Sequence, residues 1–339
     1  MTSAAKKIGK QTIKLQNPPK IISTFSIVGP KEGDGPLKEY FHEIINDDTL
    51  GKDSFEKAES KMMYTAIKGA ISGANLKEED IDYLFAGDLL NQIVSSGYAA
   101  RELNIPFFGL YGACSTMAES LSMASLFVDG GFARYVVAST SSHFSSAERQ
   151  FRFPLEYGSQ RNPTAQWTVT GSGAMVLSNY GDFPKVTYVT TGVVKDYGEK
   201  DSNNMGAAMA PAAVDTIYNH FKDTGRKPSD YDVIATGDLG KVGKEITEKL
   251  LLEYGYDIKD VYVDCGDMIF DDERQKTDSG GSGCGCSAVV TCGYFYKKLM
   301  RREIKKMLLV STGALMSPTT SLQGESIPGI AHAVAIEID

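Results

Sequence analysis

Met117, Leu121, Ala124 and Val128 recur at i, i+4, i+7 and i+11, which marks one buried face of a helix. Its other faces carry the small residues Ala118, Ser120, Ser122 and Ser125, so neighbouring elements can approach on several sides. An apolar run at 105–110 leads through Gly112 and Ala113 into Cys114, and Gly130-Gly131 supplies a left-handed stop. The pattern predicts strand, sharp turn and central helix, with a thiol at the helix N-terminus. A thiol there feels the positive end of the helix dipole and tends toward the thiolate.

The same reading predicts a helix over 55–74, where Asp53 and Glu56 have capping-box spacing and Met63, Ile67, Ala70 and Ala74 share a face. Short apolar runs predict strands at 21–27, 81–86 and 134–138, and a helix through 96–103. The Gly/Pro-rich stretch 28–38 reads as a loop, and 144–163, rich in Arg and aromatics, as an irregular insertion. Strand character resumes over 167–178 around a Gly171-Ser172-Gly173 turn.

This order then repeats. A helix at 207–224 precedes a strand at 232–235, and VIATGDL at 233–239 matches YLFAGDL at 83–89. A Gly-rich turn enters a small-residue helix over 280–301, KMLLVS at 306–311 parallels RYVVAS at 134–139, and 332–338 closes the chain as 174–178 closes the first half. An offset kept through several elements in one order indicates internal duplication. Strands alternating with helices give an α/β fold. The expected division is a basic, poorly ordered tail at 1–20, a first half at 21–182 and a second at 183–339.

Composition narrows the function. The 339 residues carry 35 Lys and Arg against 43 Asp and Glu, a net charge of −8, which argues against a nucleic-acid partner. No apolar run approaches the roughly 18 residues of a membrane span. Five cysteines, an odd number, point to free thiols in a reducing compartment. Cys284, Cys286 and Cys292 lack metal-site spacing and have no histidine nearby, so no metal or cofactor is expected. Lys6, Lys7, Lys10, Lys14 and Lys20 precede any acidic residue; they suit an anionic membrane surface, although a solvated tail is the plainer reading.

VGPKEGDGP (28–36), YGACSTMAESL (111–121), STSSHFSSAERQFRFPLEYGSQRNP (139–163), ATGDLGKVG (235–243) and SGGSGCGCSA (279–288) carry a resemblance that covers nearly the whole chain. With the duplicated halves, they resemble the thiolase-fold superfamily. The general layout is similar to condensing enzymes of the ketoacyl synthase III type, and the particular match is to the stage V sporulation protein AD family of spore-forming bacteria. The resemblance implies a thiolase-like fold of two duplicated βαβ-rich halves in α/β/α/β/α layers. It also implies binding of dipicolinic acid, free or as its calcium chelate, for uptake into the developing spore. Membrane proteins of the same operon would be its partners, the inner spore membrane its peripheral location, and a homodimer its assembly.

Condensing enzymes of this fold pair the cysteine with His and Asn, or two His, from the second half. Those positions here carry Thr236-Gly237-Asp238 and residues 281–284, none of them histidine. His42 and His220 read as structural residues of surface helices, and His332 as a remote catalytic candidate. A non-enzymatic binder is therefore expected; the alternative is acyl transfer by Cys114 with His143 or His332. Backbone N–H groups at the start of the Cys114 helix suit a carboxylate. Ser141, Ser142 and His143 are expected to leave their strand toward Cys114 and to bind ligand with it, together with Asp238 and Ser282. Arg149, Arg152 and Arg161 read as scaffold ion pairs before carboxylate ligands, and Trp167 as a core residue.

Overall fold

The computed structural model describes residues 6–151 and 161–339. Arg152 and the part of the expected insertion at 152–160 lie outside the described residues. Among the described residues, ten strands form the path of the main sheet. The first half contributes β1 (Lys20–Val28), β2 (Tyr83–Gly87), β3 (Phe107–Gly109), β4 (Val136–Ser142) and β5 (Gly171–Ser178). The second contributes β6 (Lys185–Thr190), β7 (Val233–Thr236), β8 (Tyr262–Asp264), β9 (Lys306–Ala314) and β10 (Gly329–Glu337).

Their order is β8-β7-β9-β10-β6-β1-β5-β4-β2-β3. Outward from the centre, each half runs through two antiparallel pairings and then two parallel ones. The duplication read from the sequence is thus present in topology as well as in order. The halves meet where Lys185 lies opposite Lys20.

Parallel neighbours need helical crossovers. The first half supplies α1 (Phe55–Gly73), α2 (Val94–Leu103), α3 (Thr116–Asp129) and α4 (Phe144–Phe151). The second supplies α5 (Met205–Thr224), α6 (Gly240–Glu253) and α7 (Cys284–Val290). Strand alternation sorts the core into layers. On β4, Val136 and Ala138 join Met117 and Leu121 of α3 in a middle core, whereas Val137 joins Met63 and Ile67 of α1 in an outer one. On β10, Val334 and Ile336 face the middle and Ala333 and Ala335 face α5. The result is a thiolase-like α/β/α/β/α stack with α3 and α7 at its centre.

Several expectations change. Residues 7–14 form a hairpin instead of a loose tail: Lys7–Ile8 pairs with Thr12–Lys14, which pairs with β6. Asp223 anchors it by accepting the backbone N–H groups of Lys10, Gln11 and Thr12. The cap of α1 is Ser54, not Asp53, because the Ser54 hydroxyl accepts the Lys57 N–H. The 28–38 stretch contains a short helix, Pro30–Gly33. Residues 139–142 lie inside β4 and Gly171–Gly173 inside β5, so neither is a turn. His220 is fully buried, between the hydroxyls of Thr190 and Tyr231, and His42 is an exposed residue outside any helix, stacked on Phe25.

Candidate functional site

The Cys114 turn is built from small residues and braced by hydroxyls. Ala113 sits at φ 50°, a left-handed conformation that costs a residue with a Cβ. The Ser115 hydroxyl donates to the Gly112 carbonyl at 2.7 Å and the Thr116 hydroxyl to the Ala113 carbonyl at 2.6 Å, while Thr116 Oγ1 accepts the Gly112 N–H. The turn therefore delivers Cys114 just ahead of α3, at only 6% exposure.

Two loops and the end of β9, all from the second half, close over it. Asp238, fully buried after β7, accepts the Thr312 hydroxyl at 2.7 Å, the Gly283 N–H at 2.9 Å and the Ser282 hydroxyl at 3.2 Å, and its carboxyl lies beside the Cys114 thiol. Burial pushes its carboxyl up to about 6, against the lowering effect of these donors. Asp264 supports the same loop by accepting the Leu239 and Gly240 N–H groups and the Thr236 hydroxyl; burial raises it to about 7. The Gln166 amide donates to the carbonyls of Asp238 and Gly281, tying the two loops together at 2.7 Å each.

Burial first, and then the Asp238 carboxyl, hold the Cys114 thiol well above the ordinary range. The thiolate tendency inferred from a helix N-terminus is therefore overturned. The helix dipole acts over the first turn for an exposed group, whereas this thiol is desolvated beside an acid.

A small cavity of about 30 Å³ lies over Cys114, bordered by Ala113, Leu89, Ala147, Phe151, Met205, Ala314 and Met316, with polar edges at Thr168, Ser282 and Glu148. Of the six expected site residues, Cys114, Asp238 and Ser282 come together here. Ser142 lies one step behind them: its hydroxyl donates to the Val169 carbonyl and accepts the Gly285 N–H, bracing the start of α7. Ser141 and His143 turn the other way. Strand alternation sends the Ser141 hydroxyl toward the outer layer, where it donates to Glu59 at 3.0 Å. His143, one residue past β4, is fully buried against Phe55, with Nε2 at 3.0 Å from the Asp48 carbonyl and Nδ1 accepting the Ser145 N–H.

His332, on β10 opposite Ser311 of β9, accepts the Gly192 N–H and does not line the cavity; burial lowers it to about 4. Arg149 pairs with Glu56, and Arg161 lies 3.7 Å from Glu148 and 3.6 Å from Asp278, so both are scaffold ion pairs. All five cysteines are buried free thiols, and no group of three or more His, Cys, Asp or Glu side chains among the described residues is placed to hold a metal. Trp167 is half-buried at the margin of the middle core: it packs against that core and stacks on Phe144 at 3.8 Å, with the Lys31 ammonium over its ring.

Sequence reasoning missed Asp264, Gln166 and Thr312. Each is an isolated polar residue whose role exists only after distant loops meet. The one usable signal was polarity at strand ends, Thr236 to Asp238 and Ser311-Thr312.

A cysteine leading into a middle-layer helix, between duplicated five-stranded halves, defines a thiolase-fold protein. Solved structures agree. The 3-oxoacyl-[acyl-carrier-protein] synthase III of Aquifex aeolicus VF5 superposes with a TM-score of 0.56 at 15% identity, covering 94% of this chain and 99% of that one. A variant of OleA from Xanthomonas campestris gives a TM-score of 0.62 at 14% identity, covering 96% and 99%. The chain belongs to the stage V sporulation protein AD (SpoVAD) family, whose model matches residues 9–337. It is 48% identical over 332 residues to Stage V sporulation protein AD of Bacillus subtilis (strain 168), covering 98% of both chains.

Proposed function

We propose that this sporulation protein is a non-enzymatic binder of dipicolinic acid, taken as its calcium chelate in preference to the free dianion, and that it serves uptake into the developing spore. The observation that carries the reading is the partner of Cys114: a buried carboxyl, Asp238, where a condensing enzyme needs an imidazole or amide donor. A carboxyl beside the thiol suppresses thiolate formation and cannot donate to an enolate or oxyanion once ionised. It also repels a free dicarboxylate, whereas the neutral calcium chelate escapes that penalty. Ser282, Thr168 and the Cys114 thiol supply the polar contacts. The cavity of about 30 Å³ is far smaller than the ~150 Å³ that admits a benzene ring, so ligand entry must widen it.

Membrane proteins of the same operon are the partners in this reading, with the protein peripheral on the inner spore membrane. No helix among the described residues is long and apolar enough to cross a membrane. A homodimer fits the edge strand β3, whose Phe108 is exposed beside Tyr111; light scattering reads it as a doubled mass.

Titration calorimetry with dipicolinate, with and without calcium, tests the ligand. Heat and thermal protection are expected with calcium present, reduced in Cys114→Ala and Ser282→Ala; silence under both conditions sinks the reading. The second reading, acyl transfer through Cys114, draws on the enzymes that share the fold. Incubation with acyl-CoA and intact-mass measurement would show an adduct on Cys114, and an unmodified mass at every chain length removes it.

A further inference from the structure

A second concave site lies on the outer helical layer, with the first-half sheet between it and Cys114. It is a groove of about 480 Å³ between α1 and α2, lined by Lys52, Lys57, Ser60, Lys61, Tyr64, Tyr98, Arg101 and Glu102. On a chain of net charge −8, a lining of four cations and one carboxylate is a marked local reversal. Lys52 and Lys61 have no carboxylate partner among the described residues, and the Lys61 ammonium sits 4.5 Å over the Tyr64 ring. Lys57 and Arg101 do have partners, Asp53 and Glu102, but the side chains of both pairs are more than half exposed. Such exposed pairs contribute little, so an incoming anion can compete for the cations.

The polar lining is rich in donors. Besides the cations, it contains Ser60, only 8% exposed and with its hydroxyl bonded to no described residue, and the hydroxyls of Tyr64 and Tyr98. The single acceptor-only group, Glu102, is engaged by Arg101. A site of ammonium, guanidinium and hydroxyl groups is complementary to a ligand that offers only acceptor oxygens and more than one negative charge. Nothing in the Cys114 chemistry uses these residues.

The geometry points to a phosphate-binding groove, for a phosphate group presented either free in solution or on the headgroup of an anionic lipid. Field focusing in the concave surface raises the local anion concentration, and binding weakens with salt because the cations are exposed. The lysines at 6, 14 and 20 are less suited to this task. Lys6 is paired with Asp129, Lys14 lies over Tyr188, and Lys20 donates to the Asn179 carbonyl.

The test uses the full chain, with pyrophosphate by titration calorimetry and vesicles of phosphatidylglycerol in phosphatidylcholine by sedimentation. Lys61→Glu/Arg101→Glu is the disrupting variant, Lys61→Ala/Arg101→Ala a milder one, and Lys305→Glu the control on another face. Affinity for at least one probe is expected to fall about tenfold or more in the disrupting variant, less in the milder one, and to hold in the control. Loss with pyrophosphate assigns the free ligand, and loss with vesicles alone assigns the lipid. Wild-type protein that binds neither probe, or variants that bind as wild type does, would overturn the proposal.

Discussion

Asp238 sets the chemistry of Cys114 at the residue scale. Its carboxyl receives hydrogen bonds from Thr312, Gly283 and Ser282, yet burial still keeps it near 6, and it in turn raises the thiol. Asp238→Asn removes the charge while retaining the shape, so the thiol pKa falls. Each unit of fall multiplies the thiolate fraction about tenfold. Site-resolved alkylation of Cys114 by iodoacetamide at neutral pH should therefore run faster in Asp238→Asn than in wild type. Equal rates would separate the thiol from the acid and weaken the case for a suppressed nucleophile. The Cys114 position was legible in the sequence because a strand, two small residues and a helix surround it. Its protonation state was not, because the charged partner, Asp238, lies more than a hundred positions away and the desolvating lining is gathered from both halves of the chain.

At the element scale, strand alternation explains which expected site residues converge. Ser141 and Ser142 are adjacent in sequence, but β4 sends one hydroxyl to Glu59 on α1 and the other to the start of α7. Reading 139–143 as the exit of a strand, although 139–142 are its interior, assigned Ser141, Ser142 and His143 to the pocket. Close packing of α7 follows the same logic. Gly173 of β5 faces it, and a Cβ there would lie 2.7 Å from the Ala288 backbone, so Gly171–Gly173 serves contact and not turning. The N-terminal hairpin is another tertiary element. Three of its N–H groups end on Asp223 of α5, two of them from the buried residues Gln11 and Thr12, and a buried donor left unpaired costs about 1–3 kcal/mol. Asp223→Ala should lower stability toward urea by about 1–3 kcal/mol and expose residues 7–14 to proteolysis. A variant with unchanged midpoint and cleavage would show that the hairpin docks by other contacts.

For the whole molecule, buried titratable groups shape stability against pH. Burial raises Glu32 from 4.5 to about 8, and one of its oxygens has no hydrogen-bond partner. Asp264 rises to about 7, and Glu59 rises too, through burial and the nearby Asp88 carboxyl. An acid whose folded pKa lies above its unfolded value stabilises the fold fully below the unfolded value, and that contribution is lost as pH rises through the folded one. The histidines act oppositely. Burial lowers His220 to about 3 and His332 to about 4 from 6.5, so their contribution is present above 6.5 and is lost as pH falls. The two groups oppose each other on the acid side, and above pH 6.5 the carboxyls dominate. The Tm should decline from pH 6.5 to 8.5, and Glu32→Gln should flatten that decline. A slope unchanged in Glu32→Gln would assign the pH dependence to other groups.

The sequence by itself determined the duplicated α/β fold, the central helices and the position of Cys114. Those are signals readable along the chain: hydrophobic period and small-residue turns, set by neighbours within a few residues, and the repeat of one element order in both halves. Tertiary structure alone decided that residues 7–14 form an ordered hairpin, that His143 faces away from Cys114, and that Asp238 lies against the thiol. Each of these depends on burial and on partners supplied by distant loops, and the free energy of a polar group in a protein is set by that environment.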